Sequence, residues 1–220
     1  PFFFSEKLKK ELFDLDEEQL KPYFELNQVL NGAFDIAEKL FGLTFEKVDN
    51  IDSYHPDVQT YVVSSKEKME AVFYADFFPR PGKRGGAWMT SYKSQWKKDQ
   101  ENSRPQISIV CNFTPPTKDL PALLTFNEVT TLFHEFGHAL HGMLADTTYP
   151  SLSGTSVAWD FVELPSQIFE NWCYEPEALK NFAKHYKSGE IIPQELIEKI
   201  KEAIKFLFAI LSISSISSKK

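Results

Sequence analysis

The sequence predicts a mainly α-helical chain with a small, antiparallel β-sheet set between two helical parts. Three observations predict it. Apolar residues recur at helical spacing up to residue 41 and again from residue 125. Between Phe45 and Phe113 that period gives way to short runs rich in β-branched and aromatic residues. The runs at 71–77 and 107–113 have no clear crossover helix between them, which favours antiparallel pairing.

Residues 5–41 read as helix. Asp14 or Asp16 supplies the cap, Leu20, Phe24, Val29, Leu30, Phe34, Ala37, Leu40 and Phe41 repeat at helical spacing, and Gly42 stops the pattern. Pro22 falls in the first turn of a second helix, where it is tolerated. Tyr61–Val63, Ala71–Phe77 and Ile107–Phe113 read as strands. Pro79 to Gly86 is a turn-rich loop, with a further strand after it. Helices follow at about 125–145, 160–174, 176–187 and 193–210, separated by loops carrying Pro150, Ser151, Ser153, Gly154, Gly189 and Pro193. The Ser/Lys-rich stretch 212–220 reads as a frayed tail. No internal repeat is present.

Composition excludes several classes. The chain has 220 residues, 42% hydrophobic and 15% aromatic, too apolar for disorder and long enough to bury a core. Its net charge of −7 gives no general attraction to phosphate backbones, so nucleic acid is not expected as a partner. Two cysteines, Cys111 and Cys173, do not make a disulfide framework and suit a reducing, cytoplasmic setting. The longest apolar run, Phe206 to Ile213, is too short to cross about 30 Å of hydrocarbon, so no membrane span is expected. The start at Pro1-Phe2-Phe3-Phe4 has neither an initiator Met nor the basic region of a secretory signal, and reads as a fragment of a longer protein.

The strongest chemical signal is His134-Glu135-Phe136-Gly137-His138. On a helix, positions i and i+4 lie one above the other, so the two imidazoles project from one face and can reach one zinc ion at about 2.0–2.1 Å. Glu135 points to the neighbouring side of the same turn, where it can touch a water held on the metal and take its proton. Leu132, Phe133, Phe136 and Leu140 mark the helix as buried, and Gly137 costs a mid-helix position about 1 kcal/mol unless another backbone approaches it.

A catalytic zinc commonly takes three protein ligands and keeps a place for water. Downstream candidates are Asp146, Asp160, Glu163, Glu170, Glu175 and His185, with Glu163 foremost and Glu170 next. Glu163 lies 25 residues past His138, enough for the chain to leave one helix and return on another. Asp160-x-x-Glu163 also spells a capping box, a purely structural use of the same residues.

The run from Leu132 to Trp172, with HEFGHALHGM, LSGT and DFVELPSQ, resembles the thimet oligopeptidase family of zinc metallopeptidases, most of all its bacterial oligopeptidase and peptidyl-dipeptidase branch. GKRGGAW at 82–88, CNFTPP at 111–116 and PALLTFNEV at 121–129 are similar to that branch too, so the likeness covers most of residues 1 to about 203. The resemblance implies His134, His138 and Glu163 as ligands of one zinc per chain, Glu135 as the catalytic carboxylate, and short peptides as substrates. It also implies a zincin-like core within a larger two-lobed helical shell around a deep channel. The chain would then be an incomplete catalytic region, with helix and sheet at 1–120 and a metal-binding helical part at 121–211. The family has a Tyr-rich loop after the last matched helix, whereas Lys205 to Lys220 holds no Tyr, so a non-catalytic zinc-binding module is the alternative reading. Oligomeric state and the choice between dipeptide removal and internal cleavage are left open.

Two smaller readings remain. Gly85 and Gly86 form either a plain turn or a place where a peptide backbone approaches the following strand edge. Ser153-Gly154-Thr155 is a loop between ligand helices, and His55 and His185 read as surface histidines.

Overall fold

The computed structural model describes residues 16–66 and 68–203. The expected features in residues 1–15 and 204–220, among them Phe2–Phe4, the end of the last helix and the tail, lie outside the described residues. Helix α1 (Glu17–Leu20) starts where the Asp16 side chain accepts from the Glu18 amide. A 3₁₀ turn through Pro22 then separates it from α2 (Leu26–Phe41), so the described part of the first helical region is two helices. Glu25 caps α2, and Gly42 ends it in the left-handed region at φ 68°, where glycine carries no Cβ penalty.

Five strands make the main sheet: β1 (Leu43–Lys47), β2 (Gln59–Ser65), β3 (Lys68–Asp76), β4 (Trp88–Lys93) and β7 (Gln106–Val110), in the order β1-β2-β3-β7-β4. Between β4 and β7 a hairpin, β5 (Trp96–Lys98) and β6 (Glu101–Ser103), forms a separate pair. The expected all-antiparallel sheet is corrected here. β3 and β7 are parallel, with Phe73 opposite Ile107 and Ala75 opposite Ile109. No crossover helix is needed, because the return path is itself a strand. β4 runs antiparallel one position further out, and β7 then fills the slot between it and β3.

One face of this sheet packs against two helices. α3 (Phe126–Met143) and α2 bring Phe34 and Phe136 against Phe45 and Phe73, with ring centroids between 4.1 and 5.7 Å for Phe34–Phe45, Phe34–Phe136, Phe45–Phe136 and Phe73–Phe136. Aromatic pairs at such separations add to the burial of their area. β3 is buried along Ala71–Asp76 because its other face is covered by Val58 and Ile51 around Val72 and Tyr74. After α3 come α4 (Trp159–Val162), α5 (Leu164–Glu170), α6 (Pro176–Phe182) and helical residues 194–203. No helix among the described residues is long and apolar enough to cross a membrane.

Candidate metal centre

α3 begins with a capping box. The Thr125 hydroxyl accepts from the Glu128 amide at 3.2 Å, and a Glu128 carboxylate oxygen accepts from the Thr125 amide at 2.8 Å. Two turns further on, His134 and His138 share one face, their rings edge to face with centroids 4.8 Å apart. α5 crosses that helix at very short range. A Cβ placed on Gly137 would lie 2.7 Å from Ser166 Cα and 2.9 Å from the Pro165 carbonyl oxygen, so only glycine admits the approach. The backbone approach that a mid-helix glycine implied is therefore present, and it sets the third acid in place.

That acid is Glu163, at the junction of α4 and α5. Its Oε2 lies 3.3 Å from His134 Nε2 and 3.1 Å from His138 Nε2, and the three donor atoms fall within 4.8 Å of one another. Two ligands about 2.0–2.1 Å from a tetrahedral zinc stand about 3.4 Å apart, so these separations suit a shared ion of that size, and two imidazoles with one carboxylate are a donor set zinc accepts. The capping-box alternative is absent: Ala158, not Asp160, precedes α4, and no side chain caps it. Ser166 Oγ instead donates to the Glu163 carbonyl at 2.8 Å and to its carboxylate at 3.0 Å, holding the acid's rotamer. Pro165 stands in the first turn of α5, where its missing N–H leaves no ladder bond unmade.

Glu170, the second candidate ligand, has a different place. It meets the far side of the His134 ring, where Nδ1–H donates to Glu170 Oε1 at 2.5 Å. That bond raises the His134 pKa above the usual histidine range. Burial lowers His138, whose Nδ1 has no hydrogen-bond partner. Asp146 pairs with Lys97 and His185 packs between Tyr23 and Tyr186, so neither joins the cluster. His185 and His55 are half-buried rather than fully exposed.

Glu135 is 7% exposed. Burial raises its carboxyl above the ordinary range, and a hydrogen bond from the Met89 backbone N–H works in the opposite direction. Glu135, His134, His138 and Glu163 line one cavity of about 420 Å³, whose other walls are Ala87, Trp88, Met89, Thr155, Trp159 and Val162. Trp88 and Met89 belong to β4, an outer strand of the sheet, and the Met89 N–H on this edge is taken by Glu135.

The sequence reading passed over the group that seats this edge. Asp76, 1% exposed, accepts two 2.8 Å bonds from Arg80, one of 2.8 Å from Lys83 and one of 2.9 Å from Tyr54. Burial alone would raise its carboxyl, but these donors outweigh it and hold the value below the usual range. The spacing Asp76-x₃-Arg80-x₂-Lys83 was the available signal. Gly85 and Gly86 face open space, and Gly86 has φ 94°, which fits the turn reading. Cys111 and Cys173 are buried free thiols.

Two imidazoles and a carboxylate in contact, beside a buried carboxylate on a shared cavity, are a group that could hold a metal ion. Comparison with known proteins narrows the class. Residues 2–217 match the family model described as Peptidase family M3, and the chain belongs to that family of metallopeptidases. It is 47% identical to a dipeptidyl carboxypeptidase of Escherichia coli over 206 residues, 93% of this chain and 30% of the relative. It is 43% identical to oligopeptidase A of the same organism, covering 94% of this chain and 31% of the relative. The organellar oligopeptidase A of Arabidopsis thaliana is 43% identical, with 93% and 27% covered. The chain thus spans roughly three tenths of the length of these curated relatives.

Proposed function

We propose that this chain is the zinc-binding core of an oligopeptidase or peptidyl-dipeptidase that hydrolyses short peptides, with His134, His138 and Glu163 as metal ligands and Glu135 as general base. The observation that carries the reading is the convergence of two Nε2 atoms and one carboxylate oxygen beside the buried Glu135. The names of the relatives, oligopeptidase A and dipeptidyl carboxypeptidase, support peptides as the substrate class. We extend the reading, on the family resemblance, to a zincin-like core within a larger, two-lobed helical shell, of which this chain would supply one part.

Zinc, when bound, supplies a Lewis acid that polarises the scissile carbonyl and acidifies water. The chain's own residues do the rest. Glu135 takes the proton of the attacking water and returns it to the leaving amine. Glu170 holds the His134 ring in one tautomer, and the outer edge of β4 takes an extended peptide by main-chain hydrogen bonds. We assign the protein to the cytoplasm, a setting that its two unpaired thiols suit.

The test uses full-length enzyme carrying this chain. Glu135→Gln keeps the side chain's shape and reach, so zinc content should stay at one per chain while kcat falls about 10²-fold or more. Near wild-type turnover by Glu135→Gln would end the general-base assignment. Absence of zinc from the wild-type protein would end the metal reading.

A further inference from the structure

We propose that Arg84 recognises a carboxylate of the bound peptide at the mouth of the metal-cluster cavity. The ligand group is the free C-terminal carboxylate or an acidic side chain. This rests on the peptide-hydrolase reading and deepens it by naming a feature of the substrate.

The chain has three arginines. Arg80 forks onto Asp76, and Arg104 pairs with Glu70 at 3.0 Å while bonding the Met143 carbonyl at the end of α3. Among the described residues Arg84 has no carboxylate partner. Its guanidinium lies over the ring of Trp88, 5.9 Å from the centroid, and Trp88 walls the cavity that holds His134, Glu135, His138 and Glu163. This contact gives the guanidinium N–H donors no carboxylate acceptor, and a guanidinium with donors to spare can take a carboxylate.

The backbone beneath Arg84 is fixed on both sides. Lys83 Nζ, its side chain 3% exposed, donates to Asp76 Oδ1 at 2.8 Å and to the carbonyls of Phe78 and Cys111 at 2.7 and 2.6 Å. Asn112 Nδ2 donates to the carbonyls of Arg84 and Gly86 at 3.0 and 2.7 Å. Of the three cations at 80, 83 and 84, two are consumed by one buried aspartate, and the third is presented to solvent by the frame they build.

The test runs on full-length, zinc-loaded enzyme with quenched fluorescent peptides in two matched pairs. One pair differs only in a C-terminal acid or amide, the other only in an internal Asp or Asn moved along an amidated peptide. Arg84→Gln is expected to reduce the preference for the carboxylate member of a pair, as the ratio of kcat/KM values, by about tenfold, chiefly through KM. Arg84→Lys should restore part of it. Calorimetry with an uncleaved dipeptide acid and its amide should show the same fall in ratio without turnover. A change confined to the first pair assigns the C-terminal carboxylate, and one confined to the second assigns a side chain. If both ratios are unchanged in Arg84→Gln, the proposal is overturned. Failure of the metal reading would look different, as loss of zinc-dependent hydrolysis of every peptide by the wild type.

Discussion

His134 uses its two ring nitrogens for different ends. Nε2 turns toward Glu163 and His138, and Nδ1–H is held by Glu170. An acceptor on Nδ1 fixes the tautomer that leaves Nε2 free to ligate, and losing such a partner costs about 10–100-fold in metal affinity. Glu170→Ala should therefore keep stoichiometric zinc but bind it about 10–100-fold more weakly, while Glu163→Ala should lose it, as read by competition with a chromophoric chelator. Equal loss in both variants would make Glu170 a ligand, and unchanged affinity in Glu170→Ala would remove it from the site. Sequence spacing ranked both acids but could not separate their roles. Glu163 and Glu170 lie two turns apart on the same side of α5, so period alone presents both to α3. Only the position of the His134 ring decides which nitrogen each one meets.

At the scale of elements, the metal cluster depends on how closely α5 lies against α3. Alanine at Gly137 would gain about 1 kcal/mol of helix propensity. Its Cβ would also meet backbone at 2.7 and 2.9 Å, which cannot yield without moving α5. Overpacking of this kind typically costs 1–3 kcal/mol, so Gly137→Ala should be net destabilising in urea unfolding and should weaken zinc by pulling Glu163 away. Gly142→Ala offers the contrast. Its Cβ would meet the tip of Ile107, Cδ1 at 2.8 Å, a group that can rotate, so the loss should be smaller and zinc affinity kept. Equal effects at the two positions would refute the backbone-contact account. The helices were legible where their apolar period and stop signals are local, as with Gly42, whereas the single helix expected at 160–174 is broken at Glu163. The parallel β3–β7 pair was not legible. Which slot β7 occupies depends on β4 having gone to the edge first, and the buried Asp76–Arg80–Lys83 group that seats the β4 end of that loop resembles ordinary surface charge in a linear reading.

Across the whole molecule, apolar surface is unevenly placed. Leu40, Phe41, Leu144, Leu152, Phe161 and Ile168 line a second groove of about 570 Å³ beside α3 and α5, each of them more than a third exposed. Contiguous apolar surface of this sort drives association. The 220-residue chain in isolation should sediment as a concentration-dependent mixture, and Phe161→Ser with Ile168→Ser should shift it toward monomer. Monodisperse behaviour of the unmodified chain at tens of micromolar would refute this. Composition alone indicated a large core, yet it could not say where the surplus apolar residues would gather, because that follows from how α4 and α5 fold back over α3. The fold-back has a kinetic consequence as well. α5 has seven residues, and an element so short belongs to the part of a protein that opens often, whereas α3 opens only with the core it is buried in. A metal held, as proposed, by Glu163 on one side and by His134 and His138 on the other would act as a clasp between a fast-opening piece and a slow one. Exchange of the Gln167 amide, bonded to the Glu163 carbonyl at 2.9 Å, then becomes a clock whose rate is set by how much of the time the clasp is shut.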